Sequence, residues 1–100
     1  MSRVYIIAAK EHSDVLMNRL VERLRNGGYN ISSFPMELSS YRKKFFGEPS
    51  RVEEVRMRLR AVMASDLIAT LGGWSDDEIC RLEMEVAKAM GLNIVKQKGF

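Results

Sequence analysis

Glu83 stands where helical spacing makes a carboxylate expensive. It follows Ile79 by four residues and precedes Val86 by three and Ala87 by four, so its side chain shares or borders an apolar face. Glu85, four after Arg81 and three before Lys88, reads instead as a member of a solvated, charge-paired face. A carboxylate on the apolar side costs free energy unless it is paired or hydrogen-bonded, and such tension is commoner at functional sites. Periodicity alone favours a plainer reading, in which Glu83 snorkels at the stripe's edge or satisfies a backbone amide of a nearby loop. A position in the second turn of a helix that begins beside the expected ligand edge brings the functional reading level with the plain one.

The other reactive types offer less. Cys80 is the single cysteine and His12 the single histidine, so neither an intrachain disulfide nor a metal cluster can be assembled from them, and no cofactor is expected. Cys80, inside a helix, reads as a small core residue, and His12 as a solvated loop residue or a proton donor beside Lys10.

The elements that must position Glu83 follow from hydrophobic pattern and punctuation. Arg3–Ala9 reads as a strand buried on both faces. From a cap at Ser13 or Asp14, Leu16, Met17, Leu20, Val21 and Leu24 mark an amphipathic helix that stops at Gly27 and Gly28. Tyr29–Ser33 is a second strand, closed by Phe34 and Pro35. Residues 34–50 read as a long loop with a short helical turn around Glu37–Phe45. Arg51–Ser65 carries Val52, Val55, Leu59, Val62 and Met63 at helical spacing, and Asp66–Leu71 is a third strand. Ser75 is read as an N-cap with Glu78 three residues on and Trp74 and Ile79 as a hydrophobic staple. The helix is then expected from Asp76 to Gly91 with Ile79, Leu82, Val86 and Met90 inward, followed by a strand at Leu92–Val95. The alternation implies an α/β, three-layer Rossmann-like or flavodoxin-like fold with a small parallel sheet of order 2-1-3-4 and helices on both faces.

In such a sheet, ligands bind beyond the carboxyl ends of the strands where the order reverses, here between the first and third. Two loops border that point, Ala9–Asp14 and Gly72–Asp77. A phosphate would find backbone donors at Ala9, Lys10, His12 and Ser13 ahead of a helix, with the Lys10 and Ser13 side chains in reach. Gly72, Gly73 and Trp74 form a poorer receptor, because Asp76, Asp77 and Glu78 place three negative charges at the same helix end. Trp74 could stack on a base, although its staple position makes packing the commoner role.

At 100 residues the chain makes one domain, residues 1–100, and 46% hydrophobic with 29% charged residues is an ordinary globular balance. A domain of this size buries only about 60–70% of the surface its unfolded chain exposes, so a homo-oligomer is expected. The longest apolar runs fall far short of the roughly 18 residues of a membrane span, and the N-terminus lacks a secretory core, so a cytosolic setting without membrane contact is expected. The net charge of +3 attracts small anions without the density of a nucleic-acid binder. Tyr41-Arg42-Lys43-Lys44-Phe45-Phe46 interleaves aromatics with cations, which suits single-stranded nucleic acid or, more plainly, a lid or subunit contact.

The stretch Ser65-Asp66-Leu67-Ile68-Ala69-Thr70-Leu71-Gly72-Gly73-Trp74 resembles a segment of short bacterial and phage proteins related to nucleoside 2-deoxyribosyltransferases. Arg81-Leu82-Glu83, followed by Ala87, Ala89 and Gly91, resembles that family's catalytic helix, with Glu83 in the nucleophile's place. Asp77 holds the position six residues earlier where the family has an aspartate. Val4-Tyr5-Ile6-Ile7-Ala8-Ala9 resembles the opening strand. The family's glycine and threonine positions hold Ile79 and Cys80, and Ala8-Ala9-Lys10 replaces its alanine-glycine-proline.

The resemblance implies attack by Glu83 on the anomeric carbon of a nucleoside or nucleotide, with release of the base and transfer of the sugar to another base or to water. It implies sugar binding or proton transfer by Asp77 and orientation of the glutamate by Tyr5, a residue whose place in a buried strand equally suits the core. The departures at residues 79, 80 and 9–10 support a second expectation, a non-catalytic nucleotide-binding module that senses or sequesters its ligand.

Overall fold

The computed structural model describes residues 2–9, 13–33, 44, 47 and 50–95. Four parallel strands, β1 (Arg3–Ile7), β2 (Asn30–Ser33), β3 (Leu67–Thr70) and β4 (Asn93–Val95), form one sheet in the order β2-β1-β3-β4. β1 is central because its run can be buried on both sides: Val4 to Ala8 are all fully buried. It pairs with β3 in unbroken register, Val4 with Leu67 through Ile7 with Thr70, and with β2 through a shift between Val4 and Tyr5.

Strand alternation then divides the core. Val4, Ile6 and Ala8 meet Met17, Leu20 and Leu24 of helix α1 (Asp14–Asn26) on one face. Tyr5, Ile7 and Ile68 meet Val62 of α2 (Arg51–Met63) and Cys80, Met84 and Ala87 of α3 (Glu78–Ala89) on the other. This is the Rossmann-like α/β arrangement expected from the alternation of elements. The reversal of strand order falls between β1 and β3.

Helix ends obey their local chemistry. The Ser13 hydroxyl accepts from the Leu16 N–H at 3.3 Å, opening α1. At its close Gly28 takes φ +89°, which lets the Tyr29 N–H return to the Leu24 carbonyl at 3.1 Å. Ser50 opens α2 by accepting from the Glu53 N–H at 3.2 Å.

The last helix begins later than its sequence suggests. Gly73, at φ +91°, leads into a short 3-10 turn over Trp74–Asp76, and Asp77 rather than Ser75 is the cap, its Oδ1 accepting from the Cys80 N–H at 2.9 Å. The inward stripe of α3 is correspondingly Cys80, Glu83, Met84 and Ala87. Leu82 and Met90, expected inside, are exposed, while Ile79 and Val86 are half-buried. On α2, Arg58 and Val62 are buried, and Val52 and Met63 lie exposed.

Among the described residues no helix is long and apolar enough to cross a membrane. The expected turn around Glu37–Phe45 and the aromatic-basic run at 41–46 lie, apart from Lys44, outside the described residues, as do Lys10 and His12.

Candidate functional site

Three elements converge on one carboxylate in the layer between the sheet and the paired helices. β1 supplies Tyr5, whose even-odd phase turns it away from α1 and toward α2 and α3. α2 supplies Arg58, which lies three residues after Val55 and four before Val62 and therefore shares their face. α3 supplies Glu83, one turn beyond Cys80. Glu83 is 0% exposed and Arg58 1%.

The contacts leave neither Glu83 oxygen idle. Arg58 Nη2 donates to Oε1 at 2.6 Å, forming a buried ion pair, and the Tyr5 hydroxyl donates to Oε2. Arg58 Nη2 also lies 3.4 Å from Cys80 Sγ, in donor geometry. Arg58 can only donate, so its bond to Oε1 favours the ionised carboxylate. Arg58 Nε is buried with no partner among the described residues.

Burial sets the electrostatics and the pair opposes it. Loss of solvent pushes the Glu83 carboxyl up from its ordinary range, the hydrogen bond and charge of Arg58 and the hydrogen bond of Tyr5 resist that rise, and the charge of Asp77 adds to it. For Arg58, burial favours deprotonation, but the bond and charge of Glu83 outweigh it and hold the guanidinium firmly protonated. The Tyr5 phenol is pushed far up by burial and by the carboxylate beside it, so Tyr5 serves as a neutral donor. The Cys80 thiol is pushed up to about 12 by burial and by Glu83 and Asp77, which makes it an inert thiol at neutral pH.

Asp77 stands at the head of α3, spent on the helix cap. Burial raises its pKa, but the bonds from the Cys80 N–H and the charge of Arg58 prevail and hold it below the usual carboxylate value. It is a fixed anion and does not store a proton at neutral pH.

Of the residues expected to receive a phosphate, Lys10 and His12 lie outside the described residues. Ser13 is exposed and caps α1, which covers the opposite face of the sheet. Ala9 is half-buried just past β1. Gly72 and Gly73 form an exposed turn, and Trp74 is half-buried against the cluster that holds Tyr5 and Cys80, where it acts as packing. Three surface depressions are lined by Arg19, Glu22, Arg23 and Asn26, by Glu53, Arg56, Met57 and Arg60, and by Arg51, Glu78, Ile79, Arg81, Leu82 and Glu85; Glu83 lines none of them. No group of three or more His, Cys, Asp or Glu among the described residues could hold a metal ion.

Comparison with known protein families, curated proteins and solved structures finds no match. The site therefore has to be interpreted from its own geometry. Arg58 is the residue that the sequence reading did not single out, being one of seven cations between residues 42 and 60. The signal was its spacing: Arg58 interrupts the apolar face of α2 as Glu83 interrupts that of α3.

What the assembly can do follows from its donors. A carboxylate held by one charged and one neutral donor, away from water, is preorganised to stabilise positive charge developing near it. Release of one donor would expose a lone pair for bond formation.

Proposed function

We propose that the chain acts on the N-glycosidic bond of a nucleoside or nucleotide, with Glu83 as the nucleophile. The observation that carries this reading is that the glutamate singled out by resemblance is the one acidic residue buried among the described residues, with a phenol from β1 on one oxygen. A Glu83 oxygen bonds to the anomeric carbon as the carbon–nitrogen bond breaks, and the base leaves with the bonding pair and takes a proton from solvent water. Water or a second base then displaces the ester and restores the carboxylate. Asp77, held as an anion, suits sugar hydroxyls better than proton delivery.

A second reading is favoured by a different observation. Glu83 is fully buried with both oxygens engaged, so a ligand reaches it only by parting Tyr5 or Arg58. On that reading the chain binds a nucleotide at the carboxyl edge of the sheet without turnover.

The deciding experiment incubates wild type and Glu83→Gln with a panel of nucleosides and 5′-monophosphates, following free base by chromatography and binding by thermal shift. Base release by wild type alone is the expected result. A thermal shift in both proteins with no free base would replace catalysis by binding; neither signal would end both readings. The proposal also takes the chain to be a homo-oligomer, in keeping with its size and with exposed Val52, Met63, Leu82 and Met90. Sedimentation equilibrium at the monomer mass would exclude that.

A further inference from the structure

Arg58 is the one cation buried among the described residues, and its burial makes little sense as packing. Replacing a buried ion pair with apolar residues of similar volume is often neutral or stabilising. Here the cost is raised by Arg58 Nε, buried without a partner among the described residues. The guanidinium is nevertheless aimed at one oxygen of one carboxylate, at 2.6 Å.

We propose that Arg58 is the positioning residue of the Glu83 site: it keeps Glu83 ionised out of water, anchors Oε1, and leaves Oε2 as the oxygen that meets the anomeric carbon. Only the last step rests on the glycosidic reading. The groups facing Glu83 are Tyr5 from β1, Arg58 from α2, and Cys80 and Asp77 from the start of its own helix. Tyr5 and Cys80 are neutral and Asp77 is negative, so Arg58 alone favours the carboxylate by charge. Both bonds end on the carboxylate, but Arg58 brings a full positive charge to Oε1 whereas Tyr5 brings a neutral hydroxyl to Oε2, so Oε1 stays in the ion pair and Oε2 is the oxygen released. The Oε2 to anomeric-carbon bond then forms as the carbon–nitrogen bond breaks, the departing base taking the pair.

The test is carboxyl-carbon NMR titration of Glu83, assigned by comparison with Glu83→Gln, in wild type, Arg58→Met and Arg58→Lys, with the pH profile of base release alongside. The Glu83 midpoint should rise by about one to three pH units in Arg58→Met and by less in Arg58→Lys. The acid limb of base release should move with it, with the loss in kcat rather than KM. If Arg58→Met does not fold, Arg58→Gln, which keeps a polar head without the charge, decides by the same readout. An unmoved midpoint in the folded variants overturns the proposal. A moved midpoint in a protein that releases no base keeps Arg58's control of Glu83 and rejects the glycosidic step alone.

Discussion

At the scale of the residue, Tyr5, Arg58 and Glu83 form a unit in which no member is cheap to keep alone. Taking two ions out of water costs several kcal/mol each, and their attraction repays this only when each remains paired. Arg58→Met should therefore destabilise the protein by about 3–5 kcal/mol, since it strands the Glu83 carboxylate in a dry layer. Adding Glu83→Leu should restore much of that loss, because the second change removes the stranded charge rather than another support. Urea unfolding of the two single variants and the double variant measures this directly; strictly additive losses would show that the side chains act separately. Glu83 was legible in the sequence because a carboxylate on an apolar stripe is an anomaly visible within one helix. Its relation to Arg58 was not, since the two are paired only through packing of α2 on α3, and the spacing that places Arg58 on an apolar face does not name its partner.

At the scale of the element, the same pair explains why strand order was readable and helix phase was not. β1 announces itself as a central strand, because Val4 to Ala8 hold no charged group, and right-handed crossovers then leave little freedom of order. For α3, hydrophobicity points to Ile79, Leu82, Val86 and Met90, whereas the helix is rotated to bury Cys80, Glu83, Met84 and Ala87. A charged group on the inward face makes that face look less apolar than its neighbour, so the pattern selects the wrong one. The cap moved with the phase, from Ser75 to Asp77. Asp77→Ala should cost about 1 kcal/mol through loss of the bond to the Cys80 N–H, and Ser75→Ala less than about 0.5 kcal/mol. Because folding lowers the Asp77 pKa, its contribution is present above the unfolded value, near pH 4, and disappears as pH falls through the folded value. Equal losses from the two alanine variants at pH 7 would return the cap to Ser75.

At the scale of the whole molecule, the buried cluster makes stability depend on alkali. Cys80 has its pKa raised to about 12, and Tyr5 is raised above the ordinary phenol value, both by burial first and by the Glu83 charge next. For an acid raised in this way the folded state keeps a proton that the unfolded chain releases. The stabilisation is complete below the unfolded values, about 8.5 for a thiol and about 10 for a phenol, and is lost as pH rises toward the folded values. Each group should then remove about 1.4 kcal/mol per pH unit within its window. A domain of this size has only about 5–15 kcal/mol in total, so the loss should be conspicuous above pH 9. Urea midpoints from pH 7 to 11 for wild type and Cys80→Ala isolate the thiol, because every other side chain is common to both. The variant should start lower, having lost packing, and fall less steeply between pH 9 and 11. Parallel curves would mean that Cys80 ionises as readily in the folded protein as in the unfolded chain, and that the layer holding Glu83 admits water.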